Sequence, residues 1–210
     1  MDNLLILGAG GNSKVIAETY MSSINHGNIK YLDDNYTNIK NNSNTIIGPL
    51  SKIYEKEIKN KFSKAIISIS DPKIRMYWLD ILERENYDIK PIIHKNSFVS
   101  KTAKIDNGSV IYAKACIQTE AKIGRGVFIN TNSCIEHNSI IGSGVHICPG
   151  TNIGGHVNIG YCSWIGIGSS IIQDIKIGEN VMIGAGSVVT NNIPNNSLAV
   201  GSPAKVIKNN

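Results

Sequence analysis

From residue 91 onward a branched aliphatic residue recurs at every sixth position. The series is Ile93, Val99, Ile105, Ile111, Ile117, Ile123, Ile129, Ile135, Ile141, Ile147, Ile153, Ile159, Ile165, Ile171, Ile177, Ile183 and Val189. The next position is often glycine (Gly124, Gly142, Gly154, Gly160, Gly166, Gly178, Gly184), and four residues after the aliphatic the chain is mostly Ser, Thr or Ala. A period of six fits neither a helix nor a plain strand. It describes one short strand plus one corner, with three such units closing a triangular coil that can bury its aliphatics only by stacking on the next coil. The span from Ile93 to Val189 corresponds to roughly five coils, a prism roughly 25 Å tall at about 4.8 Å per stacked strand. The unbroken register predicts that no long loop interrupts the stack.

Residues 1–90 alternate differently. "LLILGAGG" is a short apolar run into glycines, and "NSKVIAETYMSS" carries Val15, Ile16, Thr19 and Tyr20 at helical spacing. "IKYLDD" reads as a second strand. "TIIGPLSKIYEKEIK" reads as an extended piece, a Gly-Pro turn and one helix. "KAIISISD" is a third strand, and "PKIRMYWLDILEREN" a helix with Asp71 as N-cap and Pro72 in its first turn. Strand–helix alternation predicts a small parallel sheet. Two domains are expected, an α/β domain over 1–90 and a coiled parallel β domain over 91–210.

Composition narrows the chemistry. The chain has 210 residues, a formal charge of +5 and 18% charged residues. Its lysines and arginines are scattered apart from a run between Lys52 and Lys64, which reads as a solvated helical face rather than a nucleic-acid surface. Cys116, Cys134, Cys148 and Cys162 form no metal-ligand spacing. Cys116 and Cys134, 18 apart, should stack as free thiols on neighbouring coils. An acid at position 2 and a short apolar run argue against a signal peptide, and no stretch is long enough for a membrane span. These features predict a reduced, cytoplasmic protein without a metal.

Within this frame "LILGAGGNSKVIAE", "YLDD", "IRMYW", "INTNSCIEHNSIIGSGVHICPGTNIGG" and "GAGSVVTNNIPNNSLAVGSPAKVI" carry a resemblance. The chain resembles the hexapeptide-repeat acyltransferases, in particular the branch of bacterial nucleotide-sugar N-acetyltransferases and sialic-acid O-acetyltransferases. That resemblance implies a left-handed parallel β-helix, a hand that the periodicity itself does not reveal. It also implies a homotrimer with active sites between subunits, acetyl-CoA as co-substrate, and a nucleotide sugar (UDP, dTDP or GDP) bound by a Rossmann-like N-terminal domain. The activity it implies is N-acetylation of a 4-amino-4,6-dideoxyhexose for a surface glycan. A sialic-acid-type O-acetyltransferase and a trimeric nucleotide-sugar-binding scaffold are the alternatives.

The site residues follow by matching positions. Gly10, Gly11 and Asn12 lie in the strand–helix turn where backbone N–H groups can approach a phosphate; a structural tight turn would look the same. Asp33 and Asp34 end the second strand, where carboxylates can meet a ribose or base, or simply solvate a turn. Ser70 stands at the third strand's tip, where relatives often have glycine. His137 lies two residues after Ile135 and should project outward from a corner; with Glu136, Asn130 and His146 it matches the family's catalytic pattern. An imidazole suits removal of a proton from an amine or hydroxyl attacking a thioester, so the resemblance makes His137 the general base and gives Asn130 the nucleophile. His146, Ile167 and Ala185 match acetyl-CoA positions, the last two beside Gly166 and Gly184. Asn138 replaces the acid that close relatives carry next to the base. His26, His94 and His156 read as surface residues, and Lys205 as a solvated lysine within reach of a phosphate.

Overall fold

The computed structural model describes residues 2–24, 26–36 and 45–209. The N-terminal region is a three-stranded parallel sheet of β1 (Asp2–Leu7), β2 (Gly27–Leu32) and β3 (Lys64–Ile67), in the order β2-β1-β3. Helix α1 (Gly11–Met21) follows β1, and α3 (Pro72–Arg84) follows β3. Asp71 caps α3 as expected, its carboxylate accepting from the Ile74 N–H at 2.9 Å with Pro72 in the first turn. Helix α1 buries Ser13, Ile16 and Thr19 while Val15 faces solvent, a slightly rotated version of the expected apolar face.

One expected helix is split. Residues 50–61 form a 3-10 turn (Leu50–Tyr54) and a separate α2 (Lys56–Lys61), with an extended Glu55 between them. The spacing explains the break: Leu50 and Ile53 share a face, but Ile58 lies five residues on, off the helical period. The chain must re-aim to bury it.

From residue 92 the hexads form the predicted prism. Seventeen two-residue strands, from Ile92–Ile93 to Val188–Val189, stack in parallel on three faces. The first face runs Ile92–Ile93, Val110–Ile111, Phe128–Ile129, His146–Ile147, Trp164–Ile165 and Met182–Ile183. It is extended by Ser197–Gly201 and its antiparallel partner Ala204–Asn209, so the predicted C-terminal tail closes the top of the prism as a hairpin. The second face begins at Phe98–Val99 and the third at Lys104–Ile105. From Ile111 to Val189 the inward aliphatics are nearly inaccessible. At the open lower end the pattern relaxes: Ile93 is 37% exposed, and Val99 and Ile105 are only partly buried, because no coil lies beneath them.

The small residues of each hexad are buried at the corners and tie one coil to the next. Ser109, Ser139 and Ser163 donate to the carbonyls of Gly124, Gly154 and Gly178 at 2.7–2.9 Å, and accept from the N–H groups of Val127, Val157 and Val181. Thr151 makes the same bond to the Gly166 carbonyl at 3.2 Å.

The α/β region sits against the first face and one edge. Leu4, Ile6 and Ile16 pack on Val110, Tyr112 and Phe128. Helix α3 lies along the edge between the third and first faces, over Gly108, Gly126 and Gly144. All three have φ near +60 to +70°, and a Cβ at Gly108 would stand 2.4 Å from Leu79 Cδ1. Glycine is required there both for the left-handed corner and for the close approach of the helix.

Candidate active site

The glycine turn between β1 and α1 separates structural from open positions. Gly8 has φ +95°, and a Cβ there would collide with Ser68 Oγ at 2.6 Å. At Gly10 and Gly11 an added Cβ meets nothing within 4 Å. The fold does not need glycine at those two exposed positions, whereas a ligand that must touch the backbone does. Asn12 closes the turn: its amide donates to the Ser68 carbonyl at 3.1 Å and accepts from Tyr112 Oη at 2.9 Å. Tyr112 is fully buried and its hydroxyl is held well above the ordinary tyrosine range by that burial, so it serves as a fixed donor.

Both aspartates accept hydrogen bonds from the backbone. Asp33 accepts from the N–H groups of Ala9 (2.7 Å) and Asn35 (2.8 Å), and Asp34 accepts from Leu50 N–H (2.9 Å). Asp33 therefore holds the glycine turn in place. Ser70, at the end of the β3 loop, is positioned through its carbonyl by Arg75.

Arg75 is the residue that sequence reading passed over. It lies on the inner face of α3, is fully buried, and has no carboxylate partner among the described residues. Its guanidinium donates to Gly126 O (2.7 Å), Gly144 O (2.7 Å), Ile69 O (3.0 Å) and Ser70 O (2.7 Å), and lies 4.1 Å from the centre of the Phe128 ring. Burial pushes it down to about 10, so it remains charged at neutral pH. One side chain thus joins the β3 loop to two corners of the prism. The only sequence signal is an arginine where α3's period calls for an apolar residue.

His146 stands on the first face directly above Phe128, with ring centroids 5.5 Å apart, and its other neighbour is Trp164 at 4.0 Å. It is 5% exposed, and its Nδ1 is buried without a hydrogen-bond partner. Burial foremost, with the charge of Arg75, pushes it down to about 3; the Ser70 backbone opposes this slightly. His146 is a neutral imidazole near the β3 loop. Just above it a hollow of about 420 Å³ opens between the start of α3 and the prism, lined by Asp71, Lys73, Trp164, Asn180 and Met182 among others.

His137 is elsewhere. The inward register of Ile135 places it, exposed, on the edge between the second and third faces. Asn138 adopts φ +60° at the corner, a conformation that asparagine tolerates well. Its Oδ1 lies 3.0 Å from His137 Nδ1. An amide oxygen only accepts, so the contact is a hydrogen bond in the tautomer that carries its hydrogen on Nδ1, and in that tautomer Nε2 keeps its lone pair. The carboxylate of Glu136, the neighbouring residue of the matched pattern, lies 3.7 Å from the Cys134 thiol. Burial foremost, with the neighbouring Cys116 and the Glu136 charge, pushes that thiol up to about 12. Cys116 and Cys134 are stacked and free, as expected. His156, read as a surface residue, packs its ring edge-on against His137, with centroids 5.1 Å apart.

The remaining positions line a third locality, the edge between the first and second faces. Asn130 accepts there from the Thr131 N–H at 2.9 Å. Ile167, 60% exposed, and the exposed Ala185 are stacked one coil apart on the same edge. Gly166 and Gly184 are explained by packing, since a Cβ would come within 2.6 Å of Ala185 N and 2.7 Å of Val200 Cγ1 respectively. Lys205 is exposed on the closing hairpin. Within the chain, then, the expected site residues fall into three groups: the turn and His146, the His137 edge, and the Ile167 edge.

Comparison with known proteins bears on this arrangement. Residues 3–82 match the family model of the PglD N-terminal domain, and residues 120–155 and 156–191 match the bacterial transferase hexapeptide (six repeats). The acetyltransferase domain of PglB from Neisseria gonorrhoeae FA1090 is 30% identical, with a TM-score of 0.91 over 99% of this chain and 100% of that one. The same domain is similar in its complex with acetyl coenzyme A, over 98% of both chains at the same identity and TM-score. PerB from Caulobacter crescentus, solved with CoA and GDP-perosamine, shares the fold at 23% identity and TM-score 0.91, over 99% and 98% of the two chains. A search of curated proteins returned no match.

Proposed function

The chain belongs to the nucleotide-sugar N-acetyltransferase family, acetyltransferases built on a left-handed β-helix of hexapeptide repeats, and from that premise we propose that it moves the acetyl group of acetyl-CoA to the amine of a nucleotide-linked 4-amino-4,6-dideoxyhexose. The observation that carries this reading is the setting of His137: exposed at an edge, with its Nδ1 3.0 Å from Asn138 Oδ1, a contact that orients the ring and would leave Nε2 to act as the base. Asn138 thus takes over the orienting role that an acid would have played, with a neutral acceptor.

In the proposed reaction the sugar amine attacks the thioester carbonyl while His137 Nε2 accepts the amine proton. The C–N bond forms, the tetrahedral intermediate collapses with cleavage of C–S, and the imidazolium returns its proton to the departing CoA thiolate. Backbone N–H groups of a facing coil would stabilise the oxyanion. The nucleotide, carried by UDP, dTDP or GDP, rests its phosphates on the Gly10–Gly11 backbone at the carboxyl end of the parallel sheet, where ligands of open α/β sheets bind. Acetyl-CoA lies along the exposed Ile167–Ala185 edge.

The three groups come together in a homotrimer, in which one protomer's His137 edge faces the glycine turn and first face of its partner. No helix among the described residues is long and apolar enough to cross a membrane, and the proposed co-substrates place the reaction in the cytoplasm, upstream of a surface glycan. The test is thiol release from acetyl-CoA against UDP-, dTDP- and GDP-linked 4-amino sugars and free sialic acid. Turnover with one nucleotide-linked amino sugar is expected; turnover with sialic acid alone would replace this reading by O-acetylation, and silence across the panel would leave a binding protein.

A further inference from the structure

An exposed imidazole at a corner ordinarily samples several rotamers, yet a general base must hold one. Three contacts converge on the His137 ring. Asn138 Oδ1 takes Nδ1 at 3.0 Å. One coil higher, Gly155 packs against the ring: a Cβ there would stand 2.8 Å from both Cε1 and Nε2. The third is His156, whose ring meets that of His137 at 5.1 Å and an interplanar angle of 86°, the edge-to-face arrangement that aromatic pairs prefer. The backbone supports this placement, because the His156 N–H donates to the His137 carbonyl at 3.0 Å. Gly155 is not at positive φ, so its lack of a side chain serves no backbone need at that position.

We infer that His156 is a positioning residue for His137: with Gly155 as a flat seat, its ring fixes the second torsion of the base so that Nε2 keeps one direction. This inference rests on His137 acting as the base. Asn138 alone fixes only one atom of the ring; the seat and the edge contact fix its plane. The role requires an aromatic ring at 156 and not a titratable one.

The experiment is steady-state kinetics of His156→Ala, His156→Phe and Gly155→Ala with acetyl-CoA and the nucleotide-linked amino sugar that turns over, alongside His137→Ala. His156→Ala is expected to lower kcat about ten- to a hundredfold, the range for a mis-set catalytic group, with KM for both substrates and the thermal midpoint unchanged. His156→Phe restores the packing without a titratable group and is expected to recover most of kcat. Gly155→Ala, whose backbone accepts alanine, pushes the ring aside and is expected to lose kcat as His156→Ala does. Wild-type kcat in His156→Ala or Gly155→Ala overturns the inference, as does a His156→Phe enzyme as slow as the alanine variant. If His137→Ala itself keeps the wild-type rate, the base assignment fails instead.

Discussion

Replacing Arg75 by Met tests whether one side chain couples the two halves of the molecule. The substitution keeps much of the aliphatic volume but removes four N–H donors held at 2.7–3.0 Å, along with the charge over the Phe128 ring. Each carbonyl left buried and unpaired costs about 1–3 kcal/mol. The losses are not additive, since water can enter the edge and the arginine's own burial is already unfavourable, as its lowered proton affinity indicates. Taking the unpaired carbonyls and their partial relief by water together, a destabilisation of about 3 kcal/mol is expected. Lysine should restore less than half, because a single ammonium cannot span carbonyls on both the β3 loop and two prism corners. Urea unfolding reads this directly: Trp78 reports on α3 and Trp164 on the prism, so decoupling appears as two separated transitions. A loss below about 1 kcal/mol with coincident transitions would refute the coupling role.

Other outcomes follow from the same geometry. His146 is held well below the usual histidine range, so the unfolded chain binds a proton that the folded chain does not. Its contribution is complete above pH about 6.5 and is lost as pH falls toward about 3, at about 1.4 kcal/mol per pH unit. Stability of His146→Gln measured between pH 7 and 4 should decline less steeply than wild type, and parallel curves would contradict the assignment. Asn138→Ala removes the acceptor at Nδ1 and should lower kcat about tenfold or more with little change in KM; a change confined to KM would mean that Asn138 contacts substrate instead.

The prism was legible because its signal is redundant. Every sixth residue repeats one physical demand, and the stacked aliphatics from Ile111 to Val189 answer it. The same register put His137 on an outer edge, and turn chemistry located Asp71 and Gly10 at their helix starts. What remained hidden depends on contacts between distant segments. Arg75 in a helix looks like a surface charge until α3 is laid over the glycine corners. His156 looks inert until the coil brings it above His137, because 19 residues separate them in the chain. Asp33 and Asp34 read as ligand groups or a solvated turn from their place at a strand end, and the backbone amides of Ala9, Asn35 and Leu50 that they accept from come from tertiary structure and local turns. The helix expected after the Gly-Pro turn, up to Lys59, is split at Glu55, where the chain re-aims to bury Ile58.

The central claim is that His137 takes the amine proton. Its most direct test is kcat for His137→Ala beside wild type, at saturating acetyl-CoA and nucleotide-linked amino sugar, with folding checked by circular dichroism. A fall of about two to four powers of ten is expected; a folded variant turning over at the wild-type rate would contradict the role of His137 as base.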